Sequence, residues 1–306
     1  MGLIKYDEQW AILEKFYSRL VYYEMGGNRE ILLGNELTPR KCRFCGNERI
    51  ESFTEVAHAV PHFIGNNVLK SLYECDDCNT KFCKMESHFS NFMALHHVFS
   101  HVSRGKKEPQ YKNNSKSKII ATPEGIDIYL EKGDENLTVK LDSEGKTITV
   151  DGVRSYIPVY VFKIFVKMAL AIMPESEMQH FKSTTKWLMD ENIEITNLFL
   201  SIREYQAFDS FNGACMIYKR KENVNENVPC YLYGLTYNNF FFQISIPLCD
   251  QDISQKGKIR MPSIPCRFDK ECIGYNKYRH NLSSHTKVAK EKVTLKFDVG
   301  DWVILK

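Results

Sequence analysis

The sequence predicts an α+β protein: a small zinc-bound module, preceded by a helix and followed by a larger mixed α+β domain. Three observations carry the prediction. Two Cys-x-x-Cys pairs, Cys42/Cys45 and Cys75/Cys78, fall in the first third of the chain. Two stretches, residues 82–99 and 156–189, hold helical runs of apolar residues. The rest is rich in short β-prone pieces broken by Gly, Asn and Glu-Gly turns. With 306 residues there is room for two ordinary domains. A composition of 43% hydrophobic, 12% aromatic and 26% charged residues excludes a mostly disordered or fibrous chain. The net charge of +3 is too small to mark the whole surface for nucleic acid, so any basic surface must be local.

Taken in order, residues 1–35 form an N-terminal helical segment. Trp10, Leu13, Phe16, Tyr17, Leu20 and Val21 follow helical spacing after Asp7, and Gly26-Gly27 ends the run near residue 25. The zinc-bound module spans 36–105. Its last third is a second helix, marked by Phe82, Met85, Phe89, Phe92, Met93, Leu95 and Phe99. The polar stretch RGKKEPQYKNNSKSK then reads as a linker or exposed loop.

Residues 106–306 form the α+β domain. It opens with four β-prone pieces between Ile119 and Gly152, expected as a meander. Two helices follow, broken at Pro174, and then the strands CMIYKRK, CYLYGLTYN and FFFQISIPL. The terminal VTLKFDVGDWVILK is expected as a closing hairpin. The apolar run Val159 to Met173 is about five residues short of the ~20 that a membrane span needs. It also contains Lys163 and Lys167, so it reads as a buried helix and no membrane association is expected. The start MGLIKYDEQW is charged where a signal peptide would be apolar, which points to a cytoplasmic, reducing location. The sequons at Asn113, Asn136 and Asn281 are accordingly expected to be unmodified.

Cysteine carries the chemistry. Cys42, Cys45, Cys75 and Cys78, as two C-x2-C turns separated by 29 residues, match a tetrahedral structural Zn2+ site. Gly46 suits the knuckle after the first pair. The other six cysteines are scattered without pattern.

Between and after the pairs stand VAHAVP (Val56 to Pro61), Gly65-Asn66 and Cys75 to Asn79. In this order and spacing the chain resembles the HNH endonucleases, the ββα-metal nuclease superfamily, in their zinc-stabilised subgroup. The resemblance covers about 60 of 306 residues. It implies a ββα-metal module that hydrolyses DNA phosphodiester bonds. His58 falls on the general base that takes a proton from the attacking water, a task suited to an imidazole near neutrality. Asn79 falls on a ligand of the catalytic ion, Mg2+ or Mn2+, which would stabilise the leaving oxygen. The family's middle Asn orients the base. Here Lys70 or Ser71 occupies that slot, while Asn66 and Asn67 are expected to shape the turn.

One departure stands out. Many relatives carry Asp or Glu immediately before the catalytic His, and here the residue is Ala57. Another group completes the ion's shell, or metal binding is weak, or the module is inactive. Glu86, seven residues after Asn79 on the same helical face, is the expected substitute ligand; His62 and His88 are further candidates. His96, His97 and His101 read as packing residues.

Contacts to DNA phosphates are expected from Arg104, Lys106, Lys107 and Lys112, directly after the catalytic helix. Lys219-Arg220-Lys221 and the stretch from Lys277 read as solvated charge. The domain at 106–306 is open to DNA recognition, ligand sensing or dimerisation, so a homo-oligomer and a regulatory ligand or protein partner are expectations to test. Its fusion to an HNH module associates the chain, by architecture, with bacterial mobile elements and anti-phage defence. The alternative reading is a non-catalytic zinc module that binds nucleic acid or a protein, with His58 and Asn79 structural.

Overall fold

Helix α1 (Tyr6–Phe16) passes directly into strand β1 (Tyr17–Glu24) in the computed structural model, which describes residues 6–34, 40–99, 109–112, 116–205, 213–252, 259–271 and 274–298. The helix therefore ends nine residues earlier than its apolar spacing suggests. Leu20 and Val21 fit a helical period, but pairing with residues 214–220 overrides it, Tyr17 facing Arg220 and Glu24 facing Ala214.

A small sheet follows, made of β2 (Ile31–Leu33), β3 (Ala57–His58) and β4 (Leu69–Ser71) in the order β2-β4-β3. Strands β3 and β4 are antiparallel, and helix α2 (Asp76–Phe99) comes next. Its apolar stripe is buried as expected. At Ala94 the backbone leaves the helical region, with φ 37° and ψ −114°. That kink hands the stripe from one core to another. Phe82, Met85, Phe89, Phe92 and Met93 join the central cluster, while Leu95 and Val98 pack with Tyr111, Ile119 and Val150.

The expected meander is divided between two sheets. Strands β5 (Gln110–Lys112), β6 (Lys118–Thr122) and β7 (Gly125–Tyr129) form one. Strands β8 (Thr138–Leu141) and β9 (Thr147–Tyr156) belong to another. Gly152 lets β9 approach α2 closely, since a Cβ there would meet Leu95 Cδ1 at 2.9 Å. Part of the expected linker is thus strand β5, which hydrogen-bonds to β6.

Helix α3 (Pro158–Ile172) is buried on nearly every side, in keeping with its all-round apolar sequence. Pro158 sits in its first turn, where a missing N–H costs nothing. Pro174 separates it from a 3-10 stretch (Glu175–Phe181) and helix α4 (Lys182–Met189). Lys163 explains one of the two charges in the run: its ammonium donates to Trp187 O at 2.7 Å and Asp190 O at 2.8 Å, capping α4. Burial lowers the Lys163 pKa to about 8.

Strands β10 (Phe199–Tyr205), β11 (Ala214–Arg220), β12 (Tyr231–Tyr237) and β13 (Phe240–Ser245) precede the short helix α5 (Phe268–Glu271) and strand β14 (Tyr275–Asn281). The six-stranded antiparallel sheet runs β1-β11-β12-β13-β10-β14. Every residue of β12 is buried, as a central strand requires. The final strand β15 (Val288–Asp298) pairs with β9; the second arm of the expected closing hairpin falls on residues 299–306, which lie outside the described residues.

One cluster of tilted and edge-to-face aromatic rings unites the described segments. The rings of Phe89 and Phe165 lie 4.8 Å apart, Phe165 and Phe242 5.4 Å, and Phe63, from the β3–β4 loop, 5.1 Å from Phe89. Residues from all three sequence segments, Val21, Phe63 and Phe242 among them, contribute to that central cluster. Truncating one such ring to Ala costs about 3–5 kcal/mol.

Candidate functional site: the cysteine cluster and the His58 strand

Cys42, Cys45, Cys75 and Cys78 converge, with their sulfurs within 4.8 Å of one another. The Cys42 and Cys78 sulfurs are 3.7 Å apart, those of Cys45 and Cys75 3.5 Å. Four sulfurs at Zn–S distances of ~2.3 Å around a tetrahedral ion would be separated by about 3.8 Å, so the donor set fits a structural Zn2+. The knuckle closes as expected: Gly46 N–H donates to Cys42 O, Cys42 N–H donates to Asn47 O, and Gly46 takes φ +74°. Arg43 N–H donates to Tyr73 O, tying this turn to the second pair. The second pair opens α2, where Asn79 N–H donates to Cys75 O at 2.9 Å. The contact between the Cys42 and Cys78 sulfurs holds the Cys42 pKa below the ordinary thiol range and pushes Cys78 up.

The knuckle is anchored to the distant helix α3 by Arg43. Its guanidinium donates to the end-of-helix carbonyls of Leu170, Ala171 and Met173, pairs with Glu175 at 2.8 Å and stacks 3.6 Å from the Tyr73 ring centroid. A cleft of about 640 Å³ opens here. Arg40, Lys41, Arg43, Lys182 and Lys186 line it, with Glu175 on the same wall.

His58 lies on β3 opposite Lys70, and Ala57 lies opposite Ser71. Neighbouring strand residues face opposite ways, and Ala57 is only 2% exposed while His58 is half-buried. Burial first, then the charges of His62 and Lys167, lowers the His58 pKa below that of free imidazole. The loop after β3 is braced by Asn66, which is fully buried. Its Nδ2 donates to Val60 O and Leu69 O at 2.6 and 2.9 Å, and its Oδ1 accepts from Val68 and Leu69 N–H at 3.2 and 2.8 Å. Asn66 thus shapes the turn as expected. Lys70 pairs with Glu30, and Ser71 Oγ accepts from Tyr73 N–H at 3.2 Å.

Helix α2 begins at Asp76, so Asn79 lies within its first turn and is not its cap. Asp76 instead accepts from Thr54 N–H and Oγ1 and from Glu55 N–H. Glu86 is half-buried; desolvation pushes its carboxyl pKa up, and Lys167 opposes the shift. No hydrogen bond or ion pair reaches Glu86 among the described residues. Among those residues, His, Cys, Asp and Glu ligand atoms gather in groups of three or more at two places, and neither includes His58 or Glu86. His88 is occupied elsewhere, its Nδ1 accepting from Ile157 N–H at 3.1 Å at the start of α3. His96 and His97 pack as expected, His97 against Tyr237 and Phe63, and His96 against Phe240.

The residue that sequence reasoning missed is Lys167. It is 1% exposed on α3, yet its ammonium donates to the backbone oxygen of His58 at 2.7 Å and pairs with Glu74 at 3.1 Å. Glu74, immediately before Cys75, is itself buried, and its Oε1 receives no hydrogen bond among the described residues. Burial pushes the Glu74 pKa up, against the pull of Lys167. A lysine four residues from another in an otherwise apolar helix was the available signal. Lys167 therefore joins α3 to the His58 strand and to the residue that enters the second cysteine pair.

Of the expected DNA contacts, Arg104, Lys106 and Lys107 lie outside the described residues, as does His101. Lys112 is exposed on β5, whose Tyr111 packs with Leu95 and Val98 at the far end of α2 from Asn79. No helix among the described residues is long and apolar enough to cross a membrane. The chain matches no known protein family, no curated protein and no solved structure.

Proposed function

We propose that the chain is a zinc-structured, metal-dependent endonuclease of the HNH type that hydrolyses DNA phosphodiester bonds. One observation carries the reading: the antiparallel pair β3–β4 leads into α2, with His58 on the first strand, Asn79 in the first helical turn and the four-cysteine cluster beside them. In this reading His58 takes the proton from the attacking water. Its lowered pKa keeps the imidazole neutral and able to accept at physiological pH. A divalent ion held by Asn79 and Glu86, Mg2+ or Mn2+, would supply charge to the phosphate and the leaving oxygen. Lys167 and Asn66 hold the strand and the loop that carry His58. The basic cleft beside the knuckle offers charges that a phosphate backbone could meet.

A second reading, a non-catalytic zinc module that binds nucleic acid or a protein, is favoured by two details. His58 and Glu86 are not in a gathered ligand set, and Ala57, where relatives have an acid, faces the interior. Incubating purified protein with supercoiled plasmid in Mg2+, Mn2+ or EDTA separates the two. The nuclease reading expects loss of supercoiled DNA only with metal. Intact plasmid in every metal, with retention of the DNA by the protein, supports the binding module.

A further inference from the structure

The second group of converging ligand atoms lies at the end of the large sheet where β12 begins and the chain leaves β13, far in sequence from the zinc knuckle. Cys230, Cys249 and Asp252 bring two sulfurs and a carboxylate oxygen within 4.8 Å of one another. In the sequence these cysteines are 19 positions apart and carry no motif. The fold brings them together because β12 and β13 are antiparallel neighbours: Cys230 immediately precedes β12, and the chain leaving β13 returns alongside it, Ile246 N–H donating to Tyr231 O at 3.1 Å.

The backbone around the group is over-determined. Leu248 takes φ +58°, a left-handed conformation costly for leucine, and the turn is held by Thr184 Oγ1 donating to Pro247 O at 2.7 Å. Cys249 O then accepts from Asp252 N–H at 3.0 Å, folding the Asp252 side chain back over Cys230. The carboxylate accepts the Cys230 N–H at 2.9 and 3.1 Å, and Arg220 Nη1 lies 3.6 Å from Oδ1. Each carboxylate oxygen has two lone pairs, so these contacts orient the group without exhausting it. Carboxylates that ligate metals are commonly hydrogen-bonded in this way.

We propose that Cys230, Cys249 and Asp252 form a second metal site, for Zn2+ or a similarly borderline-soft divalent ion, with solvent as fourth ligand. Two thiolates select Zn2+ over the oxygen-preferring Mg2+. Charge agrees: two thiolates and a carboxylate carry −3, Arg220 contributes +1, and a divalent ion brings the sum to zero. Both cysteines are at most 2% exposed, whereas the Asp252 side chain is 18% exposed and supplies the solvent-facing side. The site stands independently of the nuclease reading, because none of its residues belongs to the His58 neighbourhood.

Metal content of the full chain, purified under reducing conditions after expression with added zinc, tests it. Two Zn2+ per chain are expected, falling to one in Cys249→Ser and in Cys230→Ser. Reconstitution with Co2+ should give a four-thiolate spectrum in all three proteins and an additional two-thiolate component in the wild type alone. Because a serine at a buried site could disturb folding, Asp252→Asn is the second variant. It keeps an oxygen for the Cys230 N–H but removes the charged ligand. It should therefore weaken the second ion by at least about 10-fold in chelator competition, the lower end of what losing a merely supporting group costs, while leaving the first unchanged. One Zn2+ in the wild type, two in Cys249→Ser, unaltered chelator competition in Asp252→Asn, or a Cys230–Cys249 disulfide in the freshly isolated protein would each overturn the proposal.

Discussion

The four-cysteine cluster and the His58 neighbourhood share residues 40–99, yet only the first is gathered as a ligand set. In the cysteine cluster each pair sits on one turn, so local backbone geometry delivers two sulfurs at a time. Around His58 the groups come from a strand, a helix and the distant helix α3, and a buried lysine already compensates Glu74. Sites built from local turns are preassembled; sites built across elements depend on the packing of the whole chain.

The widest gap between the two regions should appear on losing zinc. Cys75→Ser removes a ligand whose ion, in small zinc domains, is worth about 10–16 kcal/mol of apparent binding and folding energy. Loss of zinc and of a cooperative melt is expected by metal analysis and thermal denaturation. Full zinc with normal melting would remove the structural role of the cluster.

Next in size is Lys167→Met, which leaves Glu74 buried without its cation and should cost about 3–5 kcal/mol in denaturant unfolding. The double variant Lys167→Met/Glu74→Gln should recover much of that loss, because the uncompensated charge is gone. Equal destabilisation in single and double variants would show that Lys167 acts through something other than Glu74.

A smaller effect is a pH dependence carried by His96. Burial, and secondarily Arg154, lowers its pKa to about 4 even though Glu204 lies 3.7 Å away. Below pH 6.5 the unfolded imidazole binds a proton that the folded one refuses until about pH 4. Stability from this group is therefore complete above pH 6.5 and is lost as pH falls toward 4, by about 1–3 kcal/mol. His96→Gln should flatten that part of the stability–pH curve relative to wild type; parallel curves would assign the slope to other histidines.

The smallest effect on the fold, and the one that bears most on chemistry, is Glu86→Gln. A metal-ligating Glu86 predicts that the variant needs more Mn2+ or Mg2+ for half-maximal plasmid cleavage, with melting little changed. An unchanged metal titration would exclude Glu86 from the ion.

These differences track what could be read in the sequence. The C-x2-C spacing, the stripe of α2, the break at Pro174 and the strands β11 to β13 were legible because each is a local pattern. Strand β1 was read as helix because its partner lies some 200 residues away and spacing alone cannot register it. The pairing of β15 with β9 and the meeting of Cys230 with Cys249 are likewise products of long-range pairing. Lys167 shows the same limit at the site: its two charged or polar partners, Glu74 and the His58 carbonyl, come from a segment about a hundred residues earlier.

The central claim, that His58 on β3 is the base of a metal-dependent nuclease, is tested most directly by His58→Ala compared with wild type at matched zinc content. Plasmid cleavage in Mn2+ should fall by about 10²–10⁴-fold, with zinc, melting and DNA retention unchanged, because a general base acts only in the transition state. Wild-type turnover in the His58→Ala protein, or no metal-dependent cleavage in either, would contradict the account.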